Sequence, residues 1–237
     1  YSVSGHRFIF SSELKVILAS GIEKDISVDS LDHFLSLRYN PSPETLFAQI
    51  HKLEPATILT YRINDNKYIK EKYLSKVPQE NCSISEADAI HQLDYLFSQA
   101  VIRQMLSDVP IGLFLSGGID SALLGSLMTK HASYKINTYT VGFEGAGDFN
   151  ELVDASSTAN MLGTHHHEEY ISKNVYFDYL LRSYFHTEEP ISEPTIPALF
   201  HVSAMAARDV KVVLSGQGAD EPMAGYNRYK GEYYLNK

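Results

Sequence analysis

From about residue 85 onward, the apolar positions alternate between two rhythms. Short runs rich in β-branched or aromatic residues, as strands require, are followed by stretches with apolar positions at helical spacing. The pattern predicts strands over residues 111–115, 136–143, 167–171 and 210–214. Helices are predicted over 119–130, 150–162, 175–185 and 196–208. A long helix precedes them, capped by Ser85, with Asp88 near its positive end and an apolar face of Ile90, Leu93, Leu96, Phe97, Ala100 and Val101. Such alternation implies an α/β fold, a parallel sheet with helices on both faces. In such sheets ligands sit beyond the carboxyl ends of the strands.

The earlier part of the chain has a different texture. A strand is expected over 7–10, helices over 12–20 and 28–39, and strands over 56–61 and 67–73 around the turn at Asn64-Asp65-Asn66. These elements bury little by themselves, so they read as the back half of a larger α+β domain. Residues 76–84 are polar, contain Pro78, and read as a linker. The expected organisation is therefore a partial domain over 1–75, the linker, and the α/β domain over 85–237.

Composition narrows the possibilities. With 44% hydrophobic residues the chain has ample material for a core. No apolar run approaches the roughly 18 residues needed to span a bilayer, and the opening residues lack signal-peptide regions, so a cytoplasmic location without membrane contact is expected. The single cysteine, Cys82, excludes an internal disulfide framework, and its polar surroundings supply no activating neighbour. The 29 acidic residues outnumber 20 basic ones, and no cluster of Lys and Arg forms the stripe a nucleic acid requires, so no nucleic-acid partner is expected.

The chemistry concentrates in two strand-end loops. In Phe114-Leu115-Ser116-Gly117-Gly118-Ile119-Asp120-Ser121 an apolar strand runs through a glycine turn into a helix. Gly117 and Gly118 let the backbone turn tightly and present its N–H groups, which with the positive helix end suit a polyphosphate. Ser116 and Ser121 add hydroxyls, and Asp120 a carboxylate able to hold Mg²⁺ on the same phosphates. No lysine follows Gly118, so this is not the kinase or GTPase loop. The most β-branched run then leads into Ser215-Gly216-Gln217-Gly218-Ala219-Asp220-Glu221, again small residues followed by a carboxylate. Adjacent in a parallel sheet, the two loops would let Asp120 and Asp220 hold one Mg²⁺ from opposite sides.

The first loop resembles the SGGxDS loop of the ATP pyrophosphatases, which cleave ATP between the α- and β-phosphates. The chain as a whole resembles the glutamine-dependent asparagine synthetases. Beyond the two loops, the matching stretches are Phe10-Ser11-Ser12-Glu13-Leu14-Lys15, Asp108-Val109-Pro110-Ile111-Gly112, Tyr139-Thr140-Val141-Gly142-Phe143 and Leu162-Gly163-Thr164-His165-His166-His167-Glu168, with Gly225-Tyr226 after the second loop. The resemblance implies an adenine nucleotide alpha hydrolase-like fold preceded by part of an N-terminal-nucleophile glutaminase domain. It implies ATP contacts at Leu115, Val141, Ser215 and Gly216, and pyrophosphate and Mg²⁺ contacts at Ser116, Gly117, Gly118, Asp120, Ser121 and Asp220. Aspartate would be activated as a β-aspartyl-AMP and attacked by ammonia drawn from glutamine, with Thr195 a candidate substrate contact. A homodimer is compatible with this reading, which does not fix the oligomeric state.

Three departures accompany the resemblance. The glutaminase half of the family uses an N-terminal cysteine, whereas residue 1 is Tyr1, so this stretch of chain is expected not to hydrolyse glutamine. Gln217 stands where many members have Glu; it can position substrate but cannot serve as a carboxylate or general base. The family's later catalytic lysine falls beyond position 237, and the chain reads as a piece of a longer protein. Gln217 and Pro222-Met223, where relatives often carry Leu-Phe, leave open a relative that amidates another carboxylate. A non-catalytic ATP-binding paralogue is the alternative of a different class. His165-His166-His167 is expected to serve the strand edge rather than a metal, since neighbours on a strand point to opposite faces. Tyr226, Tyr229, Tyr233 and Tyr234 read as an aromatic surface that further chain would cover.

Overall fold

The computed structural model describes residues 1–74, 83–145, 147, 150–190 and 192–235. Cys82 and most of the expected linker over 76–84 lie outside the described residues. The chain divides into two compact units, Tyr1–Cys82 with Leu181–Pro194, and Ser83–Leu180 with Thr195–Lys237.

The first unit contains two antiparallel hairpins, β1 (Ser2–Ser4) with β2 (Arg7–Ile9) and β3 (Thr57–Arg62) with β4 (Lys67–Lys72), together with helices α1 (Leu14–Ala19) and α2 (Val28–Leu37). Its core is small: Ile17, Ile22 and Ile50 are buried, with Ile9, Leu14, Leu18 and Phe47 packed against them. Two adjacent carboxylates tie the 181–194 segment into this unit. Glu188 accepts hydrogen bonds from the N–H groups of Leu14 (2.6 Å) and Lys15 (3.0 Å), where α1 leaves its donors unpaired. Glu189 accepts from Lys52 Nζ at 2.9 Å and from Asn40 Nδ2 and the Leu46 N–H at 3.3 Å.

The second unit opens with α3 (Glu86–Gln104), whose Ser85 cap accepts from the Asp88 N–H at 3.1 Å as its sequence predicts. There follow β5 (Ile111–Phe114), α4 (Ile119–His131), β6 (Asn137–Phe143), α5 (Leu152–Leu162), β7 (His165–Ile171), α6 (Lys173–Thr187), α7 (Ile196–Ala206) and β8 (Val212–Ser215). Two helices close the chain, α8 (Asp220–Met223) and α9 (Asn227–Leu235). The four strands form a parallel sheet in the order β7-β6-β5-β8.

Strand alternation divides the core between the two faces of this sheet. Leu113 and Leu214 join Val101 of α3, Leu124 and Met128 of α4 and Ala155 of α5 in one cluster. Their neighbours Phe114 and Val213 join Tyr139, Val202 and Met205 in the other, against α7. A parallel sheet with helices packed on both faces is thus what the strand–helix alternation produces. Among the described residues no helix is long and apolar enough to cross a membrane.

Some boundaries differ from the sequence reading. β7 starts at His165, two residues earlier than expected, because His166 turns inward to Thr138 Oγ1 at 3.0 Å and His167 stacks on Tyr139. β8 starts at Val212 instead of 210: Val210 is buried, but its N–H remains in the last turn after α7, bonded to Ala206 O.

Candidate active site

Beyond the carboxyl ends of β5, β6 and β8 lies a cleft of about 420 Å³. Leu115, Ser116, Gly118, Asp120 and Ser121 line it from the first loop, Ser215, Gly216 and Gln217 from the second, and Val141 from the end of β6. Thr195, at the N-cap of α7, lines it together with Ala198, Leu199 and Val202. The structure therefore gathers the sequence-predicted residues into one lining, apart from Gly117 and Asp220.

Register explains the meeting of the loops. β5 and β8 are direct neighbours, with Phe114 opposite Ser215, so both chains leave the sheet at the same level. Gly216 then lies hard against the start of α4. A Cβ on it would stand 2.9 Å from the Ser121 nitrogen and 3.2 Å from Asp120 Cβ. Only a residue without a side chain lets the second loop approach the first so closely.

The first loop is knit together by its own side chains. The buried Ser121 hydroxyl accepts from the Ser116 N–H at 3.1 Å, lies 2.9 Å from Ser116 Oγ and donates to Gly118 O at 3.1 Å. Ser116 Oγ accepts from the Gly118 N–H at 3.1 Å. Ser121, read from sequence as a phosphate donor, is thus an internal strut in this state. Gly118 caps α4 without a side-chain bond, so the positive end of that helix opens beside the cleft. Asp120, its second residue, supplies a carboxylate.

Gly117 and Asp220 sit elsewhere. Gly117 backs onto α5, where a Cβ would come within 3.1 Å of Asp154 Cβ and 3.3 Å of Glu151 Cβ. Its N–H donates to Glu151 Oε2 at 3.1 Å. Glu151 lines the cleft and was not singled out from sequence, because an acid in the first turn of the helix expected over 150–162 reads as ordinary terminal charge. Asp220 is outside the cleft lining; a Cβ at Gly225 would overlap its Oδ1, and its backbone carbonyl accepts the Gly225 N–H at 3.0 Å. The structure thus places Asp120 in the cleft lining and Asp220 outside it, not facing one cleft from opposite sides as expected. The four-residue α8 ends at once in the Gly225 turn, and Asp220 lies against that turn rather than in the lining.

The donor set suits a metal-complexed polyphosphate. Mg²⁺ needs only one or two carboxylates beside phosphate and water oxygens, and Asp120 provides one at the open helix end. Among the described residues no group of three or more His, Cys, Asp or Glu side chains is arranged to hold a metal by itself. The floor is neutral: burial, helped by Asp209, pushes the Tyr139 phenol up to about 12. Gln217 also borders a second, apolar cavity of about 610 Å³ lined by Leu93, Phe97, Leu123 and Met223.

Comparison with known proteins shows the family. The asparagine synthase family model matches residues 92–237, and the glutamine amidotransferase domain model matches 1–74. The chain is 34% identical to asparagine synthetase (glutamine-hydrolyzing) 1 of Bacillus subtilis (strain 168), over 97% of this chain and 36% of that protein. It is 30% identical to asparagine synthetase (glutamine-hydrolyzing) 3 of the same organism, over 95% and 39%. Asparagine synthetase (glutamine-hydrolyzing) 2 of Oryza sativa subsp. japonica shares 32% identity over 55% and 24%. The chain spans between about a quarter and two-fifths of the length of these relatives. Two strand-end loops meeting over one cleft, in an α/β unit preceded by an amidotransferase segment, thus belong to a member of the asparagine synthase family.

Proposed function

We propose that the cleft binds ATP and that the protein uses it to amidate a carboxylate, aspartate in the leading reading, with ammonia released from glutamine. The observation that carries the proposal is the close contact of the two loops through Gly216, which frames one cleft with backbone donors, a helix N-terminus and Asp120. Leu115 and Val141 would meet the adenosine; Ser215 and Gly216 would flank it. The loop around Ser116 to Ser121 would grip the pyrophosphate, the leaving group, where charge stabilisation acts directly on the barrier. Asp120 would hold Mg²⁺ on the phosphates, with Asp220 as the second carboxylate; when bound, the ion neutralises charge that develops on pyrophosphate.

The chemistry needs this division of labour. A carboxylate oxygen is a poor leaving group and AMP a good one, so adenylation makes the acyl carbon open to ammonia. Thr195 and Gln217 border the same cleft and would orient the acceptor, Gln217 by hydrogen bonding only. Exclusion of water protects an acyl-adenylate from hydrolysis. The same fold acting on a different carboxylate is the second reading, favoured by Gln217 and by Pro222-Met223.

ATP–pyrophosphate exchange on the full-length protein tests the assignment. Aspartate-dependent exchange is the expected result. Exchange driven only by another carboxylate would move the acceptor, and ATP binding without exchange for any amino acid would make the protein a non-catalytic binder.

A further inference from the structure

Every N–H of the Ser116-Gly117-Gly118 turn already has a partner inside the protein. Ser121 Oγ takes that of Ser116, Ser116 Oγ that of Gly118, and the Glu151 carboxylate that of Gly117, each at 3.1 Å. Two of these partners are neutral hydroxyls within the loop. The third is an anion brought from another element. A carboxylate on a backbone N–H offers what a phosphate oxygen would offer, a charged acceptor at the same donor.

Glu151 is held there by construction of the neighbouring strand. A Cβ on Gly142 of β6 would overlap Asn150 Oδ1 and stand 2.6 Å from Leu152 Cδ1, so the absent side chain lets the start of α5 lie against the strand end. Asn150 Nδ2 donates to Phe143 O at 3.3 Å and fixes that approach. Glu151 follows directly and reaches Gly117. Its side chain is exposed, so the hydrogen bond to Gly117 rather than packing holds the charge at the loop.

Resting on the reading of this cleft as a nucleotide site, we propose that Glu151 is a built-in anion that makes the cleft select the metal complex of ATP over bare ATP. A bare polyphosphate entering the loop meets the Glu151 charge at close range in a cleft that already contains Asp120, and like charges there oppose binding. A cation carried in with the phosphates cancels that opposition. Removing the charge at 151 therefore removes much of the preference for the metal complex.

Calorimetric titration of ATP and of inorganic pyrophosphate, with Mg²⁺ and with chelator, into wild type, Glu151→Gln and Glu151→Ala tests this. Both variants should bind the metal-free anions about tenfold more tightly than wild type, a difference of about 1.4 kcal/mol. Their affinity for the Mg²⁺ complexes should change less than about threefold. Glu151→Gln retains size and an acceptor oxygen, so a fall in melting temperature confined to Glu151→Ala leaves the Gln comparison decisive. An unchanged or larger preference for the Mg²⁺ complex in Glu151→Gln would overturn the inference while leaving the nucleotide site intact. If wild type and Glu151→Gln bind neither anion under any condition, the nucleotide reading fails and the inference falls with it.

Discussion

The two strand-end loops are written in nearly the same letters, yet they do different work. Each follows a strand of the parallel sheet, turns through small residues and reaches an aspartate at the start of a helix. In the first, Asp120 is the second residue of the thirteen-residue α4, which packs Leu124, Leu127 and Met128 into the core, and it lines the cleft. In the second, Asp220 opens the four-residue α8, which buries nothing, and its carboxylate lies toward the Gly225 turn. The packed helix behind the first loop and the short, exposed one behind the second accompany an aspartate that lines the cleft and one that does not. The same letters supply the chemistry without fixing where the aspartate lies.

The largest effect should come from forcing the loops apart. Gly216→Val would place branched carbon against the backbone at Asp120 and Ser121, and Mg-ATP affinity should fall by about thirtyfold, roughly 2 kcal/mol. Retained affinity in a folded Gly216→Val protein would show that the loops need not touch. Asp220→Asn should have a smaller effect, about threefold on Mg-ATP affinity, because part of any metal interaction at Asp220 is offset by leaving its turn. A loss equal to that at Asp120 would erase the distinction between the loops.

Tyr139 provides the control, since it lines the cleft from β6 and belongs to neither loop. Tyr139→Phe should leave Mg-ATP affinity at neutral pH within about twofold, because the phenol is neutral there and its O–H is engaged with Asp209 at 3.2 Å. Its signature is in stability instead. The folded phenol titrates at about 12 against an ordinary value of 10.0, so its contribution is full below pH 10. The contribution is lost between pH 10 and 12, as the unfolded chain gives up the proton first. Thermal melts should show that decline in wild type and a shallower one in Tyr139→Phe.

Much of the α/β unit is legible from the chain because its central strands β5 and β6 are largely buried and strands and helices alternate along it. Ile111 to Phe114 and the helix after them need no tertiary information to be recognised. β1 was hidden because Ser2–Ser4 offers only Val3 as a strand signal and gains its place by pairing with β2. α9 was hidden because Asn227–Leu235 has no apolar stripe, and its three tyrosines read as a surface rather than a helix. At the site, residue types were legible and directions were not. Nothing in the letters distinguishes the placement of Asp120 from that of Asp220. Glu151 acquires its role only because Gly142 lets a different element lie close to the loop.

The most direct test is a calorimetric titration of Mg-ATP into wild type and Asp120→Asn. The Asn side chain preserves shape while removing the charge of a residue that lines the cleft. At least a tenfold loss of affinity, about 1.4 kcal/mol, is predicted. Equal affinity in the two proteins would mean that the metal-bound nucleotide sits somewhere other than between these loops.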